Sequence, residues 1–79
     1  MTTSQTLAKI KRAIEKSPRN AYVAELHVQA IKYADELENI TGREFCEGLG
    51  IRPSFGTEFA KMRKIAARLK SAGLDVDRL

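Results

Sequence analysis

Two glycines constrain the fold of this chain more than any other residues. Gly50 and Gly73 each follow an apolar-periodic segment. A glycine in that position can adopt the left-handed conformation that ends an α-helix. Each is followed by an apolar residue, Ile51 or Leu74, which a Schellman-type helix end folds back onto the last turn. The stretch 41–74 therefore predicts a short helix, a tight connection and a longer helix.

The starts of the two helices are signalled differently. Thr41 and Glu44 have the S/T-x-x-E spacing of a capping box, in which each side chain bonds the other residue's backbone N–H. For the longer helix, Ser54 or Thr57 is a candidate cap because both residue types are preferred at that position. These signals predict helices over residues 42–49 and 55–72.

The helix predicted over residues 55–72 is amphipathic. At helical spacing, its apolar residues fall on one face. They are Phe55, Phe59, Met62, Ile65, Ala66 and Leu69. The opposite face carries Thr57, Lys61, Lys64 and Arg68, with Arg63 on a flank. One side that packs and one basic side that meets an anion-rich groove are typical of the second helix of a helix-turn-helix.

This stretch resembles the helix-turn-helix family of prokaryotic DNA-binding proteins. The likeness is carried by Phe45, Cys46, Leu49, Gly50 and Ile51, followed by Phe59 and Met62. The family usually has a small residue at the place of Cys46 and a glycine in the turn at the place of Gly50. It has an apolar residue where this chain has Gly56, so the connection here is about three residues longer than the common one. The resemblance implies a small bacterial transcription factor.

The N-terminal half predicts two further helices, over residues 4–16 and 19–40. The first has an apolar face made of Leu7, Ile10 and Ile14. Pro18 separates the two, since proline suits a first helical turn. The apolar face of the second consists of Val23, Leu26, Ala30, Tyr33, Ala34 and Leu37. Val28 and Ile31 lie off that face, where they either cover the first helix or form a self-association surface.

The predicted fold is all-α. It is one small four-helix domain over residues 1–79, with a helix-turn-helix formed by the last two helices and no wing. The chain is near the lower size at which a single core suffices. The segment after Gly73 is too short for the two-strand hairpin of a winged helix. The predicted core contains Ile14, Leu26, Leu37, Phe45, Leu49, Phe59, Met62 and Leu69.

Charge is distributed unevenly along the chain. Residues 51–72 hold six basic side chains against one acidic, whereas residues 20–40 hold four acidic side chains against one basic. Such segregation indicates polarised faces, one of which suits a phosphate backbone. The first helix carries Lys9, Arg12 and Lys16 opposite its apolar face. They form either a second set of phosphate contacts or a solvated surface.

Several functions lack their characteristic residues. The single cysteine, Cys46, excludes an internal disulfide and fits a reducing cytoplasm. It is more typical of a small buried residue than of a reactive thiol. One cysteine and the single histidine, His27, do not make a zinc site. There is no Gly-rich phosphate loop, so neither an enzyme nor a cofactor is expected. No apolar run has the length of a membrane span or signal segment.

The favoured function is sequence-selective binding of double-stranded DNA, with the helix over residues 55–72 in the major groove. Thr57 and Lys61 would reach base edges, and Lys64, Arg68 and Arg63 would contact phosphates. Arg52 and Ser54 in the connection are further candidates for backbone contacts. The alternative is a small protein-interaction or oligomerisation module without nucleic-acid binding, with a homodimer through Val28 and Ile31. Structured RNA remains open as a third partner.

Overall fold

The structure, a computed structural model, describes residues 2–79 apart from the side chain of Arg19. Met1, which belongs to the predicted domain, lies outside the described residues. The described part forms four α-helices, α1 (Thr3–Lys16), α2 (Tyr22–Lys32), α3 (Gly42–Leu49) and α4 (Phe55–Ser71). Single 3-10 turns lie at Arg19–Ala21 and Val76–Arg78, and residues 2–79 contain no strand. The all-α class is confirmed.

The core lies where the four helices meet. α4 packs on α2 and α3, and α1 packs on the same two helices. Phe45 of α3 and Phe59 of α4 are almost fully buried, and their rings stack with centroids 4.1 Å apart. Because aromatic rings bury more apolar area than other side chains, this pair anchors α4 on α3. Ile10, Ile14, Leu26, Ala30, Leu37, Cys46 and Leu49 complete the buried centre.

α3 begins and ends as its sequence predicts. The Thr41 hydroxyl accepts the Glu44 backbone N–H at 3.1 Å, and the Glu44 carboxylate accepts the Thr41 N–H at 3.0 Å. At the other end, Gly50 is left-handed, with φ 69° and ψ 32°. The Ile51 N–H donates to the carbonyl oxygen of Cys46 at 3.0 Å. That bond is the defining contact of a Schellman end.

The end of α4 is built in the same way. Gly73 has a φ of 106°. The Leu74 N–H donates to the Leu69 carbonyl oxygen at 3.0 Å, and the Gly73 N–H donates to that of Lys70 at 3.0 Å. Both bonds of a Schellman motif are therefore present, and the predicted stop is confirmed.

The start of α4 differs from the prediction. Ser54 is already helical, with φ −58° and ψ −25°, and makes no side-chain capping bond. The Phe55 N–H instead donates to the Arg52 carbonyl oxygen at 3.1 Å, and the Gly56 N–H donates to that of Pro53 at 3.0 Å. Turn bonds thus satisfy the first free amides of the helix. The predicted side-chain cap is wrong.

α1 begins with a capping box that the sequence analysis did not predict. The Gln5 N–H donates to the Thr2 hydroxyl at 3.2 Å, and the Thr2 N–H donates to the Gln5 side-chain oxygen at 3.0 Å. The helix consequently begins at Thr3, slightly before the predicted start. Its signal is the S/T-x-x-Q form of the same box that opens α3.

The single helix predicted over residues 19–40 is wrong in its length. Only Tyr22–Lys32 is α-helical, and residues 33–40, here called the turn segment, form successive turns. The turn segment contains three exposed carboxylates, those of Asp35, Glu36 and Glu38. Negative charge is unfavourable at the C-terminal end of a helix because that end is the negative pole of the macrodipole. No glycine or proline marks the break, which explains why it was not predicted.

Most of the predicted core is buried, with three exceptions on the predicted apolar faces. Ile14, Leu26, Leu37, Phe45, Leu49 and Phe59 are buried, and Met62 packs against them partly buried. Leu69 is 38% exposed, Ile65 43% and Val23 46%. Their assignment to the packed side is wrong. In α4, the exposure of Ile65 and Leu69 follows from the contacts that the helix makes with the turn segment.

Candidate nucleic-acid interface

α3 and α4 cross at their N-terminal ends with their backbones in contact. A Cβ atom built on Gly42 would lie 2.6 Å from the carbonyl oxygen of Gly56, well inside contact distance. The glycine that departs from the family pattern therefore permits the close crossing. The connection between the helices, residues 50–54, is long enough to bring the start of α4 back to the start of α3. This geometry positions the first turn of α4 and the residues that it carries.

The outer face of α4 is a basic stripe. Thr57, Lys61, Lys64 and Arg68 are all exposed. They recur at helical spacing on the side opposite Phe59, which is buried, so their side chains point away from the core. The structure thus brings four of the predicted site residues together on one surface. We call these four residues the α4 stripe.

The connection between α3 and α4 adds two more predicted site residues. Arg52 and Ser54 are both exposed. The backbone oxygen of Arg52 accepts the Phe55 N–H at the start of α4. Both side chains lie next to the first turn of the helix, on the same end as Thr57.

Arg63 lies apart from that set. Its guanidinium donates from Nη2 to the backbone carbonyl oxygens of Leu37 and Ile40 in the turn segment. Its Cζ also lies 4.5 Å from the centroid of the Phe59 ring, a cation–π contact. These contacts direct the side chain inward, so we leave Arg63 out of the proposed DNA contacts. Its position on the edge of the buried face indicates a role in holding α4 against the turn segment.

Lys70 makes a second contact between α4 and the turn segment. Its ammonium group pairs with the carboxylate of Asp35, and its side chain is 24% exposed. Together with Arg63, it turns one side of α4 toward the turn segment. Ile65 and Leu69 lie on the other side of the buried stripe, so the same rotation leaves them exposed. This is why the apolar pattern alone misplaced them.

Glu58, in the first turn of α4, faces α2. Glu58 lies between His27 and Lys61, with one carboxylate oxygen 3.5 Å from the His27 Nε2 and the other 3.8 Å from the Lys61 ammonium nitrogen. Exposed ion pairs of this length contribute little to stability. The Lys61 side chain is 61% exposed. It is held loosely enough to exchange Glu58 for another anion.

The basic residues of α1 form a separate group. Lys9, Arg12 and Lys16 are exposed. The opposite side of α1 packs on α2 and α3 through Ile10 and Ile14, which are buried. The predicted second group is therefore on the outside of the molecule, on a different helix from the α4 stripe.

One exposed basic residue beside the α4 stripe escaped the sequence analysis. Arg43 lines an open depression between α3 and the start of α4, together with Pro53, Gly56 and Thr57. Its nearest partner is Glu47, one turn away, at 3.0 Å. The available signal was its positive charge at the second residue of α3, because a helix N-terminus otherwise favours negative charge.

The remaining reactive side chains of residues 2–79 do not form a metal-binding group. Cys46 is buried, and burial raises the pKa of its thiol, so the group stays protonated and unreactive. Its expected role as a small buried residue is confirmed. Among the described residues, no three His, Cys, Asp or Glu side chains group closely enough to hold a metal ion.

The fold and this surface define an all-helical protein whose last two α-helices form a helix-turn-helix. A family model described as an HTH-like domain matches residues 2–72. The chain therefore belongs to the HTH-like domain family, which confirms the resemblance found in residues 41–74. The curated proteins and the solved structures gave no match. No helix of residues 2–79 has the length and apolar character needed to cross a membrane.

Proposed function

We propose that the protein binds double-stranded DNA sequence-selectively, as a small bacterial transcriptional regulator, with α4 in the major groove. The observation that carries this proposal is the α4 stripe. Two other basic residues of the helix, Arg63 and Lys70, serve internal contacts. Among the described residues, the stripe's internal ion pairing is limited to the long Lys61–Glu58 pair. An exposed basic stripe on the second helix of a helix-turn-helix suits a phosphate-lined groove.

The four residues of the α4 stripe have different proposed roles, which follow from their positions along the helix. Thr57 and Lys61 lie in the N-terminal half of α4, the part that reaches base edges in helix-turn-helix complexes. Lys64 and Arg68 lie further along and contact phosphates of the groove wall. Base contacts provide selectivity, while phosphate contacts provide most of the affinity.

Further phosphate contacts surround the stripe. Arg52 and Ser54 flank the first turn of α4, and Arg43 projects from the neighbouring start of α3. Lys9, Arg12 and Lys16 of α1 supply a second group of contacts if the duplex extends beyond the helix-turn-helix. The protein acts without catalysis or cofactor, in the cytoplasm.

A salt titration of duplex binding tests the proposal. Phosphate contacts release condensed counterions, so log Kobs should fall linearly with log[salt], with a slope of about −0.9 per contact. We expect fluorescence anisotropy with a labelled duplex to give a steep slope and tight binding at low salt. Absence of binding at low salt would exclude the DNA-binding function.

Single substitutions that each remove one positive charge or one hydroxyl group locate the contact surface. Lys64→Gln and Arg68→Gln should each lower the affinity for all duplexes by the same factor. Each should also lower the magnitude of the slope of log Kobs against log[salt] by about one. Thr57→Ala and Lys61→Gln should instead change the preference among duplexes, by about 1–3 kcal/mol for a lost base contact. Arg78→Gln, which removes an exposed positive charge in the C-terminal 3-10 turn, is the control and should change neither quantity. An equal effect of Arg78→Gln would indicate that net charge alone drives binding.

A homodimer through α2 would double the recognised site. Val28 is 37% exposed and Ile31 is half-buried, so both offer apolar area on α2. Sedimentation equilibrium of the wild type and of Val28→Glu tests this dimer. A concentration-dependent dimer that the variant loses would support it, and a monomer at all concentrations would refute it.

Titration with a matched RNA duplex, run beside the DNA duplex, shows which of the two nucleic acids the protein prefers.

A further inference from the structure

The C-terminal half of α4 exposes an apolar stripe that the proposed DNA binding does not use. Ile65, Leu69 and Ala72 recur at i, i+4 and i+7, so they share one side of the helix end. Ile65 is 43% exposed and Leu69 38%, although both are large apolar residues. They line one open depression, and its other lining residues are Lys64 and Arg68. We call these five residues the α4 docking groove.

The exposure of this groove follows from contacts elsewhere in the molecule. Arg63 and Lys70 fix the rotation of α4 by binding the turn segment. With that rotation, the side of α4 that carries Ile65 and Leu69 is left exposed to solvent. Scattered apolar residues on a surface need no explanation, but a contiguous apolar stripe on a helix marks an interaction site.

DNA does not account for the groove. Leu69 follows Arg68 by one residue, so it lies about 100° around the helix from that member of the α4 stripe. With the α4 stripe facing the duplex, the Leu69 side chain points to the side of the helix, where the phosphates of the groove wall offer no apolar partner.

A second copy of this chain is also a poor occupant. In a two-fold symmetric contact each residue of the groove would face the same groove of the partner. Lys64 and Arg68 of both copies would then approach each other, and like charges at an interface are destabilising. The rim is wholly basic, so charge complementarity favours a partner that carries acidic residues on both sides of an apolar stripe.

We propose that the α4 docking groove binds an acidic amphipathic helix of a partner protein. Apolar residues of that helix would pack on Ile65, Leu69 and Ala72, and its flanking carboxylates would pair with Lys64 and Arg68. This is the helix-in-groove mode, in which residues at i, i+3, i+4 and i+7 anchor the ligand. The assignment goes beyond DNA binding, and because Lys64 and Arg68 also belong to the α4 stripe, the partner helix and a duplex would compete for these two side chains.

The probe is a synthetic peptide about four helical turns long, with leucines along one side, glutamates on both flanks and a fluorescent label. Its control is the same peptide with lysines in place of the glutamates. Fluorescence anisotropy with the full chain should show saturable binding of the acidic peptide, and no binding of the basic one. No binding of the acidic peptide, or equal binding of both peptides, would overturn the proposal.

Variants of α4 place the binding in the groove. The double variant Ile65→Gln/Leu69→Gln removes the apolar stripe but keeps good helix propensity. It should lower the affinity for the acidic peptide at least about tenfold, which is about 1.4 kcal/mol of binding free energy. The matched control, Ala60→Gln/Ala67→Gln, changes two exposed residues on another side of the same helix and should leave peptide binding unaltered. Circular dichroism melts of both variants check that the fold is retained.

Two further outcomes would also overturn the assignment. If the wild type forms a dimer in sedimentation equilibrium and the Ile65→Gln/Leu69→Gln variant does not, the groove serves a second copy of the chain. If that variant loses more than about threefold in duplex affinity while the peptide fails to bind, the stripe contacts DNA, for example thymine methyl groups. Retained duplex affinity together with lost peptide affinity is the result expected here.

Discussion

Replacing Arg63 by methionine tests the contact that orients α4. Methionine keeps an unbranched apolar side chain and good helix propensity, so the substitution removes mainly the guanidinium. That group donates to the carbonyl oxygens of Leu37 and Ile40 and contacts the Phe59 ring. We expect Arg63→Met to destabilise the protein while leaving its helices intact.

The magnitude follows from the partners that remain. The Leu37 carbonyl oxygen keeps the Ile40 N–H at 3.2 Å, whereas the Ile40 carbonyl oxygen has no other protein donor among the described hydrogen bonds. An unsatisfied carbonyl costs about 1–3 kcal/mol, and loss of the cation–π contact adds about 0.5–1 kcal/mol. The buried Nε–H of Arg63 is itself unpaired, and removing it recovers part of that loss. We therefore expect a net loss of about 2 kcal/mol.

Urea unfolding followed by circular dichroism measures the free energy of unfolding. Lys64→Met, at the exposed neighbouring position, is the control and should change it by less than about 0.5 kcal/mol. Arg63→Lys keeps the charge but lacks the planar fork, so its loss should be intermediate. If Arg63→Met changes stability by less than about 0.5 kcal/mol and flattens the salt dependence of DNA binding, the side chain is free and contacts phosphate instead.

Five further substitutions test the packing. Phe59→Ala should cost about 3–5 kcal/mol in urea melts, whereas Leu69→Ala should cost about 1 kcal/mol or less; equal losses would refute the rotation of α4. Gly42→Ala should lower the unfolding free energy by about 1–3 kcal/mol because its methyl meets the backbone of α4, and Gly48→Ala, which meets only a flexible side-chain end, should be nearly neutral. Burial raises the pKa of the Cys46 thiol. The stability from the neutral thiol is therefore complete below the unfolded thiol pKa of about 8.5 and declines as pH rises above it, a decline that Cys46→Ala should lack in pH-dependent melts.

Local signals predicted both ends of α3 and the C-terminal end of α4, because nearby residues determine those ends. The capping box of Thr41 and the left-handed glycines need only bonds within one or two turns. The burial of Phe45 and Phe59 was also predicted, because aromatic side chains have the most apolar area to remove from water. For the candidate site, the α4 stripe was predicted as a set because it lies directly opposite that buried pair.

What the sequence did not reveal depends on a contact between distant residues. The helix over 19–40 was expected to continue because no glycine or proline interrupts it. Once α2 ends at Lys32, carbonyl groups of the turn segment lack helical partners, and a buried carbonyl needs a donor. Arg63 supplies that donor from α4, 23 residues after Ile40, a pairing that no local pattern encodes.

That pairing links the N-terminal half of the chain to the surface that α4 presents. Arg63 and Lys70 of α4 face the turn segment, so the packed side of the helix includes these two basic residues. Ile65 and Leu69, on the other side of the buried stripe, are consequently exposed. A hydrophobic pattern alone assigns every apolar residue of the helix to the core, because it takes no account of an arginine that is buried by its hydrogen bonds. The acidic turn segment therefore determines which basic residues are exposed for the proposed DNA contacts and which apolar residues are exposed for the proposed protein partner.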